Sequence, residues 1–271
     1  MKRVYPSPEW PESWKTSYEY DLLEIYGGKS SLGYTCAYQK RFNATLGLIE
    51  SVLPAGSSVI DIAAAQGNFS LSLAERGYKV LWNDLRGELA DYVKLKHEIG
   101  DVEYLEGNAF ELELGEKFDC VLISEVIEHV AHPDQFLIAA ASIAKPGGIV
   151  VMSTPNGRYF RNNLPKFKDC PDPCIFESQQ FKPNADGHIF LLWPDEIQWL
   201  SRQSGLAIES ILYHTNPLTA GHIKLEKVLR ILPESPVRFL ESMTAGLPFF
   251  IRSRITTASV TLFRKPVLQS S

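Results

Sequence analysis

Four residues near the middle of the chain are of types that move protons or hold metals. Glu125, Glu128 and His129 stand at i, i+3 and i+4 in Ser124-Glu125-Val126-Ile127-Glu128-His129-Val130. One helical turn there sets all three on one face. His188 follows in Gly187-His188-Ile189-Phe190, ahead of the helix-opening run Trp193-Pro194-Asp195-Glu196. An imidazole titrates near neutral pH, so His129 leads as general base, with Glu128 and His188 behind it. The plainer role for Glu128 and His129 is hydrogen-bonded capping of the helix. Two carboxylates and two imidazoles also make a donor set for Mn²⁺ or another divalent ion. Cys170 and Cys174 form a C-x₃-C pair with no second cysteine pair, and read as loop thiols rather than zinc ligands.

A second group could bind a nucleotide. Residues 59–62 form a short β-branched strand containing Asp61, followed by the small-residue turn Ala63-Ala64-Ala65-Gln66-Gly67. A helix over about 68–76 and a second strand over 79–83, closed by Asp84, complete a β-α-β unit. Small residues let backbone N–H groups approach a ligand, and a helix N-terminus favours negative charge. Asp84 is placed to accept hydrogen bonds from two ribose hydroxyls. The dinucleotide pattern G-x-G-x-x-G needs its third glycine at position 68, which is Asn68. The spacing here is D-x-A-x-A-x-G, through Asp61, Ala63, Ala65 and Gly67. Alanine fits those positions if their φ angles stay negative. A plain tight turn of some other α/β protein is the competing reading.

Elements positioning both groups are predicted along the chain. Residues 1–33 are rich in aromatic residues, proline and serine, with a Gly27-Gly28 break, and form an N-terminal arm draped over the domain. A helix is expected over 34–53, a crossover helix over 86–99 and a strand over 102–105. A buried strand over 118–123 delivers Ser124 and Glu125 to its C-terminal end. A helix over 134–143 ends at Lys145-Pro146-Gly147-Gly148, and a fifth strand covers 149–153. A long connection, 157–192, precedes a helix to about 204. Strands over 206–213 and 257–264 form an antiparallel closing pair. Between them, 214–255 reads as an inserted substrate cap with helices over 225–232 and 236–245. The chain is then one domain: arm 1–33, core 34–213 and 256–264, cap 214–255.

Composition narrows the classes. A net charge of −5 argues against general nucleic-acid affinity, and no stretch is apolar enough for a membrane span. The first ten residues carry charge with no apolar run behind them, unlike a signal peptide. Four cysteines in 271 residues do not make a disulfide framework, so a cytoplasmic setting is expected.

The pattern D-x-A-x-A-x-G resembles the first motif of class I S-adenosylmethionine (SAM)-dependent methyltransferases, D/E-x-G-x-G-x-G, with two glycines replaced by alanine. FDCVLISEVIEHV at 118–130, KPGG at 145–148 and VMSTPN at 151–156 look like the second half of such an enzyme. The resemblance is closest to the broad group that includes ubiquinone-biosynthesis O-methyltransferases, and its blocks run in order over about 57–213. It implies a Rossmann-like α/β fold: a seven-stranded, mostly parallel sheet with an antiparallel last strand and helices on both faces. It implies SAM as cofactor and S-adenosylhomocysteine (SAH) as product. The implied cofactor pocket comprises Asp61, Ala63, Ala65, Gly67, Asn68, Asp84, Leu85, Asn108, Ala109, Ser124 and Glu125, with Asn108 and Ala109 beside the adenine.

Methyl transfer is an in-line displacement, so the protein positions two reactants and removes a proton. The expected acceptor is a hydroxyl of a small molecule: a sugar, a lipid-like compound or a secondary metabolite. The aromatic arm and Leu247-Pro248-Phe249-Phe250-Ile251 favour apolar substrate surface. That patch is also compatible with transient membrane contact or a homodimer interface. N- and C-methylation stay open. Three alternatives stand beside this expectation. One is a SAM-binding scaffold without turnover, raised by Ala63 and Ala65. Another is metal-assisted RNA 2′-O-methylation, since E-x-x-E-H plus a distant His resembles the site of small-RNA 2′-O-methyltransferases. The acidic charge and lack of an RNA-binding appendage weigh against it, and a functional metal is not favoured. The third, a nicotinamide dehydrogenase, is disfavoured by Asn68 and the seven-strand ending.

Overall fold

Alternation along the central strands decides the architecture. In β1 (Ser58–Ile62), Val59 faces a cluster with Leu46, Ile49, Phe69 and Leu73, while Ile60 and Ile62 face one with Leu137, Ile197 and Leu200. Such a strand is apolar on both faces and must be covered by helices on both. The computed structural model describes residues 1–27, 32–180, 187–216, 243, 244 and 246–267. It supplies those helices: α1 (Glu12–Glu24), α2 (Leu32–Val52), α3 (Asn68–Glu75), α4 (Glu88–Lys96), α5 (Pro133–Ile143), α6 (Pro194–Gln203) and α7 (Phe249–Ile255).

The remaining strands are β2 (Lys79–Asp84), β3 (Asp101–Glu106), β4 (Phe118–Ser124), β5 (Ala144–Pro155), β6 (Ala207–His214) and β7 (Ala258–Arg264). They form one seven-stranded sheet in the order β3-β2-β1-β4-β5-β7-β6. Pairs from β3 to β5 are parallel, and β7 inserts antiparallel between β5 and β6. The strand order reverses between β1 and β4, and ligands of open α/β sheets bind outside the carboxyl ends at such a point. Ala63–Gly67 leaves β1 there, and Glu125–His129 leaves β4. No helix among the described residues is long and apolar enough to cross a membrane.

Several boundaries differ from the sequence expectation for local reasons. The helix expected over 86–99 is shorter, because Asp84 holds the Arg86 N–H in a turn and His97 turns extended. β5 begins at Ala144, and Pro146-Gly147-Gly148 lies within it at a register shift against β4. A Cβ on Gly148 would sit 2.9 Å from the Lys145 carbonyl, so the chain crosses there only without a side chain. The cap helices expected over 225–232 and 236–245 lie outside the described residues except for Met243 and Thr244.

The N-terminal arm holds the largest departure. It contains the regular helix α1, whose buried residues are Ser17, Tyr18, Asp21 and Glu24. Positions 17, 21 and 24 share a helical face, but that face is polar, so apolar periodicity cannot find it. Trp10 packs edge-on against Trp14, Tyr18 and Tyr92 of α4, and Trp14 lies tilted against Tyr92. Beneath them Lys96 is wholly buried, its Nζ donating to Asp21 Oδ2 (2.7 Å), Asn68 Oδ1 (2.6 Å) and the Gln66 carbonyl (2.9 Å). Tyr92 also donates to Asp21, at 2.6 Å. Removing one member of a buried ion pair strands the other charge. Asp21→Ala is therefore expected to lower stability by about 3–5 kcal/mol. Urea unfolding with an unchanged m-value measures this, and a loss below about 1 kcal/mol would show the ammonium finding other acceptors.

Candidate functional site

The turn after β1 has the backbone of a glycine loop made with alanine. Ala63 and Ala65 adopt φ of 55° and 47°, and Gly67 adopts 71°. The condition under which alanine fits without strain, a negative φ, is therefore not met at either position. The cause lies in what each backbone group must reach. Ala65 N–H donates to Asp84 Oδ2 at 2.8 Å, Ala64 N–H to the Asn83 carbonyl, and Gly67 N–H to the Ala64 carbonyl. Trp82 Nε1 holds the Ala65 carbonyl at 3.1 Å. Those bonds fold the chain left-handed, a conformation costing a residue with Cβ roughly 1–2 kcal/mol. Gly67 is the one position where the side chain itself is excluded, since its Cβ would lie 2.6 Å from Val93.

Around this turn a cavity of about 100 Å³ is lined by Asp61, Ala63, Ala64, Ala65, Gln66, Asn68, Phe69 and Ser124, with Glu24, Tyr38 and Arg41 from α1 and α2. Five residues expected at the cofactor, Asp61, Ala63, Ala65, Asn68 and Ser124, thus share one wall. Leu85, Asn108 and Ala109 stand outside it, farther along the carboxyl edge, where Gly107 N–H bonds the Asp84 carbonyl. Leu85 is half exposed, Ala109 is buried, and Asn108 bonds Glu111 and the Phe110 N–H.

Two of these side chains are engaged inside the protein. Val59 and Asp61 share a face of β1, so Asp61 points beneath α3 and accepts from Ser70 Oγ at 2.6 Å. Burial pushes its carboxyl up to about 7, against the Ser70 hydrogen bonds. Asn68 donates to Asp21 and Glu24 and accepts from Lys96. Asp84 is arranged differently. Besides Ala65 N–H it accepts from the Arg86 N–H and guanidinium, and the Arg86 side chain is half exposed and free to swing away.

A second cavity, about 240 Å³, adjoins the first and shares Arg41 with it. Its walls include Glu125, Asn156, His188, His214 and Thr215. Arg41 Nη1 pairs with Glu125 Oε2 at 3.2 Å, and its guanidinium covers the Tyr38 ring. Burial, then Arg41 and Lys40, lower His214 to about 3, so it stays neutral. Its Nδ1 meets Thr215 Oγ1 at 2.8 Å, and its buried Nε2 has no hydrogen-bond partner among the described residues. A larger cavity, about 480 Å³, opens at the amino ends of β2, β3 and β4, the side of such a sheet opposite its ligands.

Glu125, Glu128 and His129 do not share one helical face. Glu125 has φ of 55° and turns toward Arg41 and Ser153, and only Ile127–His129 forms a 3₁₀ turn. Glu128 is wholly buried with Oε2 on Thr154 Oγ1, and burial beside Glu125 raises its pKa well above the usual range. Its Oε1 has no hydrogen-bond partner among the described residues. His129 and His188 cross edge-to-face with centroids 5.0 Å apart, and ligating atoms of Glu128, His129 and His188 lie within 4.8 Å of one another. His129 Nδ1 meets the Gly187 carbonyl at 3.3 Å. A carbonyl only accepts, so Nδ1 carries the proton and Nε2 is the basic nitrogen.

Arg41 and His214 escaped the sequence reading. Both left a signal: Arg41 sits on the buried face of α2 with Tyr38 and Thr45, and His214 ends an otherwise apolar strand segment.

This strand order, with a small-residue turn after β1 and an acid closing β2, defines a Rossmann-like, SAM-dependent methyltransferase. The chain belongs to the family described as Methyltransferase domain, whose model matches residues 36–211. It is 33% identical over 182 residues to a ubiquinone biosynthesis O-methyltransferase of Stutzerimonas stutzeri, covering 65% of this chain and 75% of that one. The N-methyltransferase NodS of Bradyrhizobium japonicum, solved with SAH, superposes with a TM-score of 0.54 at 12% identity, covering 94% of this chain and all of NodS. The [4+2]-cyclase SpnF superposes at 0.57 and 14% identity, covering 97% of this chain and all of that one. Identities this low show the fold alone.

Two outcomes test the turn. Ala65→Gly removes roughly 1–2 kcal/mol of left-handed strain and adds about 0.5–1 kcal/mol of chain entropy, so its urea midpoint should hold or rise. Gly67→Ala adds strain and the Val93 clash and should lower it. For Asp61 the folded pKa is raised, so its contribution to stability is complete below about pH 4 and is lost as pH rises to about 7. Asp61→Asn should therefore gain stability relative to the parent across that window, by on the order of 4 kcal/mol. A pH-independent difference would place the titration elsewhere.

Proposed function

We propose that this methyltransferase transfers the methyl group of SAM to a hydroxyl of a small molecule held in the second cavity. The observation that carries this is the shared wall: the alanine-turn cavity and the Glu125–His214 cavity meet at Arg41. An in-line displacement needs donor and acceptor that close. The turn suits the cofactor because it presents little side-chain bulk, with the Asp84 carboxylate behind it. SAM supplies the activated methyl group and its own leaving group. Asp84 accepts the two ribose hydroxyls as Arg86 moves off, and Leu85, Asn108 and Ala109 flank the base. Arg41, poised between the cavities, pairs with the methionyl carboxylate. His129, its Nδ1 proton held by Gly187, takes the acceptor proton at Nε2. Glu128, buried, supports that turn, and His188 closes the mouth.

The hydroxyl is favoured by the name of the Stutzerimonas relative, and a small acceptor by the size of the cavity. In the same reading 1–33 is the arm and 214–255 the cap over a core of 34–213 and 256–264. Asn156 Nδ2, bonded to the Ser253 and Thr256 carbonyls, ties α7 of that cap to the second cavity. Four free cysteines accord with a cytoplasmic setting.

One observation favours a second reading, metal-assisted transfer: Glu128, whose Oε1 has no partner among the described residues, offers a carboxylate oxygen to the trio with His129 and His188. Activity lost to a chelator and restored by Mn²⁺ would select it.

Calorimetric titration with SAH tests the cofactor site. The folded protein should bind with micromolar affinity, and Asp84→Ala and Arg41→Ala should each weaken binding at least tenfold, about 1.4 kcal/mol. No binding by the folded parent would overturn the proposal and leave a scaffold. On an acceptor found by screening, His129→Gln should lower kcat by about 10²–10⁴-fold with SAH affinity unchanged. An unchanged kcat would reassign the base.

A further inference from the structure

The long connection before α6 holds a second convergent donor set, about which neither the fold nor the proposed reaction says anything. Its middle, Pro173–Gln179, is a 3₁₀ helix, opened by Asp172, whose Oδ1 accepts the Cys174 N–H at 3.1 Å. In a 3₁₀ helix residues three apart eclipse one another. Cys174 and Glu177 therefore stand on one side, facing His132 at the start of α5. His132 Nε2 meets Glu177 Oε1 at 2.9 Å and Cys174 Sγ at 3.9 Å, and ligating atoms of all three lie within 4.8 Å of one another. Cys170 is not part of this set: it packs partly buried against the apolar core around Phe190, while Cys174 is exposed.

We propose that His132, Cys174 and Glu177 bind a zinc ion. Zinc takes thiolate at about 2.3 Å, imidazole at about 2.0–2.1 Å and carboxylate at about 2.0–2.2 Å, usually tetrahedrally. Donors in such a site lie roughly 3.3–3.6 Å apart, so the two His132 contacts need to shift by about 0.5 Å or less and the Cys174–Glu177 separation by at most about 1.2 Å. One soft, one borderline and one hard donor exclude Mg²⁺ and Ca²⁺, which prefer oxygen alone. Asp172 or water completes the fourth position. Binding forms the Zn–S bond and releases the Cys174 thiol proton to solvent. The ion pins the connection to the start of α5, beside the point where Gln180 Oε1 accepts the Ala131 N–H at 2.8 Å. This centre is separate from Glu128, His129 and His188, with which it shares no residue.

Titration of the metal-stripped full chain with Co²⁺, followed by absorption, tests the proposal. One equivalent should bind, with the ligand-field bands of a tetrahedral site and a sulfur-to-cobalt charge-transfer band, all bleached by Zn²⁺. Cys174→Ser should abolish the charge-transfer band. His132→Ala should weaken affinity by more than about 100-fold, the ceiling for losing a residue that merely orients a ligand. Cys170→Ser and Glu128→Gln should retain the full spectrum, and circular dichroism checks that every variant is folded. Absence of the charge-transfer band in the parent, its survival in Cys174→Ser, or its loss in Cys170→Ser would each overturn the site.

Discussion

The buried contact between Asp21 and Lys96 is the constraint on which the cofactor side of this molecule depends. One ammonium, out of reach of water, meets a carboxylate, an amide oxygen and a main-chain carbonyl at 2.6–2.9 Å. Each acceptor belongs to a different requirement. Asp21 brings in the N-terminal helix, Gln66 the turn after β1, and Asn68 the N-terminus of α3. Burial lowers the pKa of Lys96 and the Asp21 charge opposes it, so the group keeps its proton by keeping its partners. A turn held in left-handed φ at two alanines needs such over-determination. It receives it from below through Lys96 and from the side through Asp84 and Trp82.

The same geometry gives an alanine turn the backbone path of a glycine loop, left-handed at Ala63, Ala65 and Gly67. The strain in the turn falls on Ala63 and Ala65, exposed and half-buried residues that line the cavity, whereas at Gly67 a Cβ would strike Val93. The cavity beside it is completed by residues distant in sequence. Glu24 and Arg41 come from helices preceding β1, and Arg41 reaches across to Glu125 at the end of β4. The second cavity is likewise a product of chain crossing, lined by His214 from β6, Asn156 just after β5, and His188. Function in this fold resides where several chain segments end at one edge of the sheet.

Much was legible in the sequence because it depends on neighbours along the chain. The short apolar runs around Ile60 and Val121, the turn between Asp61 and Asn68, and the acid at Asp84 are local patterns, and they place the sheet and its ligand edge. The seven-strand ending was readable for the same reason, since two alternating segments close the chain. The reading failed where a partner far away takes over. The polar face of α1 looks like surface until Lys96 and Asn68 meet it. The i, i+3, i+4 spacing of Glu125, Glu128 and His129 indicates a shared face until Arg41 draws Glu125 into the left-handed region.

By itself, then, the sequence determined the order of strands and helices, the family, and the small-residue turn at the carboxyl edge of the sheet, because hydrophobic period and turn chemistry act over a few residues. The tertiary structure alone decided which acids are exposed and which are buried, that Asp61 supports α3 while Asp84 faces the ligand edge, and that Arg41 joins the two cavities. It also paired Cys174 with His132 and Glu177 rather than with Cys170. Those outcomes are set by burial and by the meeting of segments dozens of residues apart, and neither quantity is encoded in spacing along the chain.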